Sequence, residues 1–286
     1  MSSKRTPELV LHQAVTRSLF FVVVLLVAVV VLLPFGWGFM TSIKSNREIL
    51  AYPPKLWGFT LSAEHYIDVF ESAFFRSLLV TVFYCATSIV FGLVLGLMMA
   101  YAIKRYRFPG RRLLFYLVVC GIPFSMGSAA LIVPNYVFFS AIKFIDHPYT
   151  LVVLYCAYNL PMSVWIIMGG IEGIPVEIEE SMTIDGVKRS YLIFNMTPQL
   201  CLPSIASAAL FIFIGGWNNF LLGSVMVNAN ALKPIQVSIY NYMGYFGREW
   251  GPLAASSIAA VIPILIVFML LGRLMISGLT QGSVKG

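Results

Sequence analysis

Between Leu19 and Met40 the chain reads LFFVVVLLVAVVVLLPFGWGFM, without one charged residue. A helix rises about 1.5 Å per residue and a bilayer core is about 30 Å thick, so roughly 20 such residues cross it. Five more stretches have the same character, at about 77–103, 113–142, 149–170, 200–227 and 253–278. Backbone polar groups in hydrocarbon must satisfy one another, which leaves helix as the form for segments of this length. The sequence therefore predicts an all-α integral membrane protein with six transmembrane helices. The first run is too long for the apolar region of a signal peptide, and no small-x-small cleavage site follows it. It reads as a retained span over 19–41.

Composition agrees: 59% of residues are hydrophobic and 11% charged, against about 45–50% and about 25% in a soluble domain. The net charge of +7 lies in short gaps between apolar runs, not in a patch. That placement is what membrane topology requires, and it excludes nucleic acid as a partner. The gap KRYRFPGRR (104–112) holds five basic residues in nine, which marks it as cytoplasmic. With six spans, the N-tail (1–18), the segment 171–199 and the C-tail (279–286) share that side, so both termini are cytoplasmic. Twelve Lys and Arg then lie inside and seven outside, while the acids divide six and six. The core of the chain is 77–278, preceded by an external loop over 42–76.

Two features of the spans point inward. Gly121-Ile122-Pro123, Pro134 and Asn159-Leu160-Pro161 interrupt the third and fourth runs. Such breaks are tolerated only where neighbouring helices or a cavity satisfy the freed carbonyls. Gly92 and Gly96 form a small-xxx-small pair, which lets another helix approach closely. Cys85, Cys120, Cys156 and Cys201 are scattered through apolar runs, with no C-x-x-C and no nearby histidine. They read as small buried hydrophobes. His12, His65 and His147 are isolated and predicted to lie outside the lipid, so neither a metal site nor a Cys/His nucleophile is visible.

The one acid-rich stretch is EIEESMTIDG, 177–186. Pro175 suits a first helical turn. Glu177, Glu179 and Glu180 then complement the positive end of the helix dipole. Asp185-Gly186 is a stop signal, with glycine free to turn left-handed. Lys188 and Arg189 open a second stretch with Tyr191, Leu192 and Phe194 on an apolar face. The prediction is helix, sharp turn, helix beneath the membrane. A solvated connector and a docking surface for another protein both remain open on these residues alone. Catalysis is the weak reading, because no histidine or second acid cluster accompanies them.

Here a resemblance becomes specific. Glu179-Glu180-Ser181-Met182, followed by Thr183-Ile184-Asp185-Gly186-Val187, resembles the EAA loop of ABC-importer permeases, with both alanines replaced. Of the prolines that often follow it, Pro203 fits and Pro198 falls one residue early, which should shift the start of the next helix slightly. Further matches run in order along the chain: TSIK (41–44), YAIKRYRFPGRR (101–112), FIGGWNNF (213–220), FGREWGP (246–252) and SGLTQGSVKG (277–286). Together they are similar to the carbohydrate-importer branch, related to the second permease of the maltose transporter. Asn219 departs from the acid often found there.

The resemblance implies a type I ABC-importer permease fold in the bacterial cytoplasmic membrane. It implies a second homologous permease as partner, two ATPase subunits, and a periplasmic or lipid-anchored solute-binding protein. The chain holds no G-x-x-x-x-G-K-[ST] phosphate loop, so it is expected to be no enzyme and to carry no cofactor. ATP and Mg²⁺ belong to the ATPase partners. Coupling to them would run through Glu179, Glu180, Asp185 and Gly186, with Gln281 and Gly282 of the tail. Glu179 and Glu180 are expected to pair with basic groups on the ATPase, and motion of their helix to rotate spans four and five. Gly186→Asp should uncouple transport by straining the turn.

For the translocation pathway the polar and aromatic residues near mid-membrane are Asn135, Tyr136, Asn159, Trp217, Asn218 and Asn219. Each could equally be an interhelical hydrogen bond or a turn residue. In the loop 228–252, Tyr240, Tyr242, Tyr245 and Trp250 suit a binding-protein contact, or an aromatic belt at the headgroups. A permease for a glycerol phosphate, sugar acid or amino acid is the alternative within the superfamily. A secondary transporter would need charges in the middle of the spans, and none is found there.

Overall fold

The computed structural model describes residues 7–125, 129–244 and 249–281, with side chains over 16–123, 129–244 and 249–275. Regular structure among these residues is helical, apart from one isolated antiparallel bridge between Lys44 and Leu61. The first apolar run lies in α1 (Pro7–Ser42). Two short helices, α2 (Asn46–Ile49) and α3 (Glu64–Glu71), fill the segment before α4 (Phe74–Arg105). Then come α5 (Arg111–Ser125), α6 (Ile132–Ala141) and α7 (Thr150–Glu172). The acid-rich stretch forms α8 (Val176–Ile184), followed by α9 (Arg189–Tyr191), a π turn over Leu192–Met196 and α10 (Thr197–Leu200). The chain ends with α11 (Leu202–Trp217), α12 (Phe220–Met226), α13 (Ile235–Tyr240) and α14 (Trp250–Gln281).

Four stretches are long and apolar enough to cross a bilayer unbroken: Thr16–Ser42, Phe74–Arg105, Thr150–Glu172 and Trp250–Met275. A fifth is a bent pair, Arg189–Leu200 with Leu202–Trp217, turned by 86° at the break. Pro198 and Pro203 explain the bend, because neither can donate to the carbonyl four residues back. The π turn lies just ahead of Pro198, where the early proline pointed to a shifted helix start. The third run, expected to be interrupted, holds α5 and α6, of 15 and 10 residues, each too short to cross alone, with 126–128 between them outside the described residues. Pro134 falls in the first turn of α6, where its missing N–H leaves no bond unmade. The fourth run behaves differently, and α7 continues through Pro161.

The bundle is built around α7, which packs against α4, α11 and α5, while α11 also meets α4 and α14. More than half of the apolar window of α7 is buried, and none of that of α1, which touches mainly α14. The predicted glycine pair lies where two other helices come close to α4. A Cβ at Gly92 would lie 2.8 Å from Ile212 Cδ1 of α11, and one at Gly96 3.3 Å from Ile167 Cδ1 of α7. Near the basic gap, Leu97, Tyr101, Val164, Ile167 and Ile171 form one buried cluster. Near the opposite end, Tyr84, Leu151, Tyr155 and Met226 form another.

Candidate functional site

At the basic end α8 lies outside the bundle, closed by its own sequence. Its last turn ends in a Schellman motif: Gly186 N–H donates to Thr183 O at 3.1 Å, and Val187 N–H to Met182 O at 3.0 Å. Gly186 has φ +80°, and a Cβ there would meet nothing within 4 Å. The demand for glycine is therefore one of backbone conformation and not of space. Val176, Ile178 and Ile184 are exposed, Ile184 at 86%, and Glu177 and Glu180 lie on the outer surface with Asp185. Met182 is half-buried. Beyond the turn only Leu192 of the expected apolar face is buried, while Tyr191 and Phe194 remain exposed.

Glu179 faces the other way. Its Oε1 accepts from Arg105 Nε at 2.7 Å and its Oε2 from Tyr101 Oη at 2.7 Å. The same guanidinium donates through Nη2 to the carbonyls of Ile171, at 3.1 Å, and Ile174, at 2.8 Å. Ile171 lies in the last turn of α7 and Ile174 just past its end, where a cation is favoured. Arg105 and Glu179 side chains are only 11% and 13% exposed. A pair this enclosed costs several kcal/mol to desolvate and is held by its full set of charge-assisted hydrogen bonds. Lys104 Nζ meets Glu172 Oε2 at 2.7 Å, a more exposed pair of smaller worth. Arg189 stacks over the Tyr106 ring at 4.8 Å.

Sequence reasoning counted Arg105 toward topology and held both residues in the matched stretch YAIKRYRFPGRR, without giving either a contact. A signal was present: residues four apart on a helix share a face, and Tyr101 and Arg105 do.

At the opposite end Asp146 ties two loops together. Its Oδ1 accepts from the N–H groups of Asn228, at 2.5 Å, and Ala229, at 2.9 Å, while its own N–H donates to Met226 O. Partial burial raises the Asp146 pKa, but those N–H groups, the Asn228 amide and Lys233 outweigh it, and the carboxyl stays below its usual value. A depressed folded pKa means stabilisation that is complete above about pH 4 and is lost as pH falls through the lower, folded value. Hydrogen exchange of the Asn228 and Ala229 amides should therefore speed up on acidification below about pH 4. In Asp146→Asn it should be fast already at pH 7. Exchange in that variant as slow as in the parent would contradict the latch.

The six pathway candidates are spread over α6, α7 and the junction of α11 with α12. Asn135 Nδ2 donates to Tyr158 Oη at 2.7 Å, and Tyr136 is exposed beside it. Asn159 is buried, donates to Tyr155 O at 2.8 Å, and sits where a Cβ on Gly215 would collide with it. Trp217 is fully buried and stacks on Phe213, centroids 5.2 Å apart, with its Nε1 unpartnered. Asn218 is exposed at the end of α11. Asn219 caps α12, its Oδ1 accepting from Leu222 N at 3.0 Å. Of the loop residues, Tyr240 leans on Phe220 and is 53% exposed, and Tyr242 Oη meets Ser72 Oγ at 3.2 Å. Trp250 begins α14 and lines a crevice of about 520 Å³ with Trp37, Lys44 and Glu48, between α1 and α14. Tyr245, Gly282 and the Gln281 side chain lie outside the described residues.

Comparison with known proteins gives a consistent set of likenesses. Residues 92–281 match the family model described as "Binding-protein-dependent transport system inner membrane component". The chain is 29% identical over 284 residues to the inner membrane ABC transporter permease protein YcjP of Escherichia coli (strain K12), covering 96% of this chain and 98% of that protein. It is 30% identical over 258 residues to the trehalose transport system permease protein SugB of Mycobacterium tuberculosis, covering 89% and 93%. Among solved structures, a chain of a bacterial ABC transporter involved in import of the acidic polysaccharide alginate superposes with a TM-score of 0.78 at 18% identity, covering 95% of this chain and 99% of that one.

Proposed function

We infer the function from one premise: this chain belongs to the family of binding-protein-dependent transport system inner membrane components. It is a permease subunit of an ATP-driven importer with the type I permease fold, and it forms half of a pathway for a sugar or oligosaccharide. The relative named for trehalose supports that solute class. The observation that carries the mechanism is α8, a capped helix with exposed Val176, Ile178 and Ile184. It is pinned to the bundle through Glu179. Such a helix can receive a push and pass it on.

That geometry supports the following cycle. A homologous permease completes the pathway, and two ATPase subunits bind ATP and Mg²⁺ beneath it. Their closure on ATP moves a groove in which α8 sits, contacting Glu180, Asp185 and the exposed apolar residues. The displaced helix shifts the bundle from an inward to an outward opening, because the two states differ in these contacts. Basic residues at 104–112 set α8 on the cytoplasmic side, with six crossings if α5 and α6 count as one. The loop at 228–252 then faces the periplasm, where a solute-binding protein delivers the sugar.

A tagged copy of the chain, solubilised from its native membrane, should bring down an ATPase and a second permease, with two ATPase subunits for each permease partner. Recovery as a lone, transport-competent oligomer would contradict the reading.

A further inference from the structure

The Glu179 carboxylate is turned into the chain, away from the surface an ATPase would meet. Both of its oxygens are taken within the chain, one by Arg105 and one by Tyr101, in a setting nearly closed to water. A single guanidinium joins three elements: it belongs to α4, bonds α8 through Glu179, and bonds the Ile171 carbonyl in the last turn of α7 and the Ile174 carbonyl in the turn that follows. On its other side α8 is connected differently. After Gly186 the chain passes through the three-residue α9, the π turn and the 86° break at Cys201 before α11 begins. Non-α turns and proline breaks are where helices give way most readily. A force on α8 therefore meets a stiff joint toward α4 and α7 and a compliant one toward α11.

We propose that Arg105, with Tyr101, is a positioning residue for transport, locking α8 to α4 and α7 so that the push of the ATPase enters those two helices while the segment 189–201 absorbs the motion. This rests on the functional reading above and changes one part of the expected coupling: the driven helices are α4 and α7, the second and fourth spans, instead of the fourth and fifth. Glu180 and Asp185 face the ATPase, and Glu179 is a strut.

The test uses the assembled complex in vesicles, reading solute uptake and ATP hydrolysis together. Arg105→Gln and Glu179→Gln are each expected to cut uptake about ten-fold while hydrolysis stays within about two-fold, so that ATP consumed per solute rises. The double variant should be no worse than the worse single, because both remove one joint. Tyr101→Phe keeps the buried ring and loses one hydrogen bond, and should cost uptake about three-fold. If Arg105→Gln fails to assemble, Tyr101→Phe decides. An unchanged ratio of ATP to solute in assembled Tyr101→Phe or Arg105→Gln, or a double variant that multiplies the two single losses, would overturn the clamp. A parent chain that brings down no ATPase would overturn the functional reading instead, and the role of the clamp with it.

Discussion

Gly186→Val is expected to abolish coupled uptake while the chain still reaches the membrane and folds. Gly186 takes φ +80° as the left-handed residue of the cap on α8. A side chain in that conformation costs roughly 1–2 kcal/mol, more when branched at Cβ and less for Asn or Asp. Space is not limiting, since a Cβ would meet nothing within 4 Å. The order of damage should therefore be Asn and Asp below Ala, and Ala below Val. Gly186→Asp, at first sight a severe change, becomes one of the milder ones at the level of the backbone. Uptake measured across this series checks the order. Loss that tracks side-chain size, with Asn worse than Ala, would place the constraint in the docked groove and not in the turn.

The second large effect lies in the core. Even Gly215→Ala is expected to destabilise the bundle by about 1–3 kcal/mol, and Gly215→Val to prevent its accumulation. A Cβ at Gly215 would fall 2.2 Å from Asn159 Oδ1, and Asn159 cannot swing away without breaking its bond to Tyr155 O. Combining Gly215→Ala with Asn159→Ala removes the colliding group and should recover part of the loss. Thermal unfolding of the detergent-purified chain reads both. A double variant that loses the full sum of the two single changes would show that α7 and α11 do not meet there.

Much of this architecture was legible because lipid imposes simple rules. An uncharged run of the right length had to become α4, and Gly92 with Gly96 had to mark where other helices come close. The divided third run was visible as Gly121-Ile122-Pro123 and Pro134, but periodicity does not say whether a proline bends a helix or ends it. Pro161 did neither. Within α8, residues 177 and 180 are three apart and share a face, while 179 is turned well away from 177. Which face meets the bundle depends on Tyr101 and Arg105, about 75 positions earlier. No local pattern carries that. Trp217 and Asn219 were ambiguous for a related reason: aromatic and amide groups deep in apolar sequence suit a pathway, an interhelical contact or a turn alike. Asn219 ahead of the apolar FLLGSVM was also a helix cap in plain view, and Trp217 is a core residue stacked on Phe213.

The central claim is that this chain moves a solute by receiving the ATP cycle of another protein. The most direct measurement is uptake of labelled sugar into vesicles holding the purified complex, with ATP and Mg²⁺ on the face that carries α8 and the loaded binding protein on the other. Uptake should require all of these at once, and should stop when ATP is replaced by a non-hydrolysable analogue. Uptake that proceeds without ATP, driven by an ion gradient alone, would contradict it.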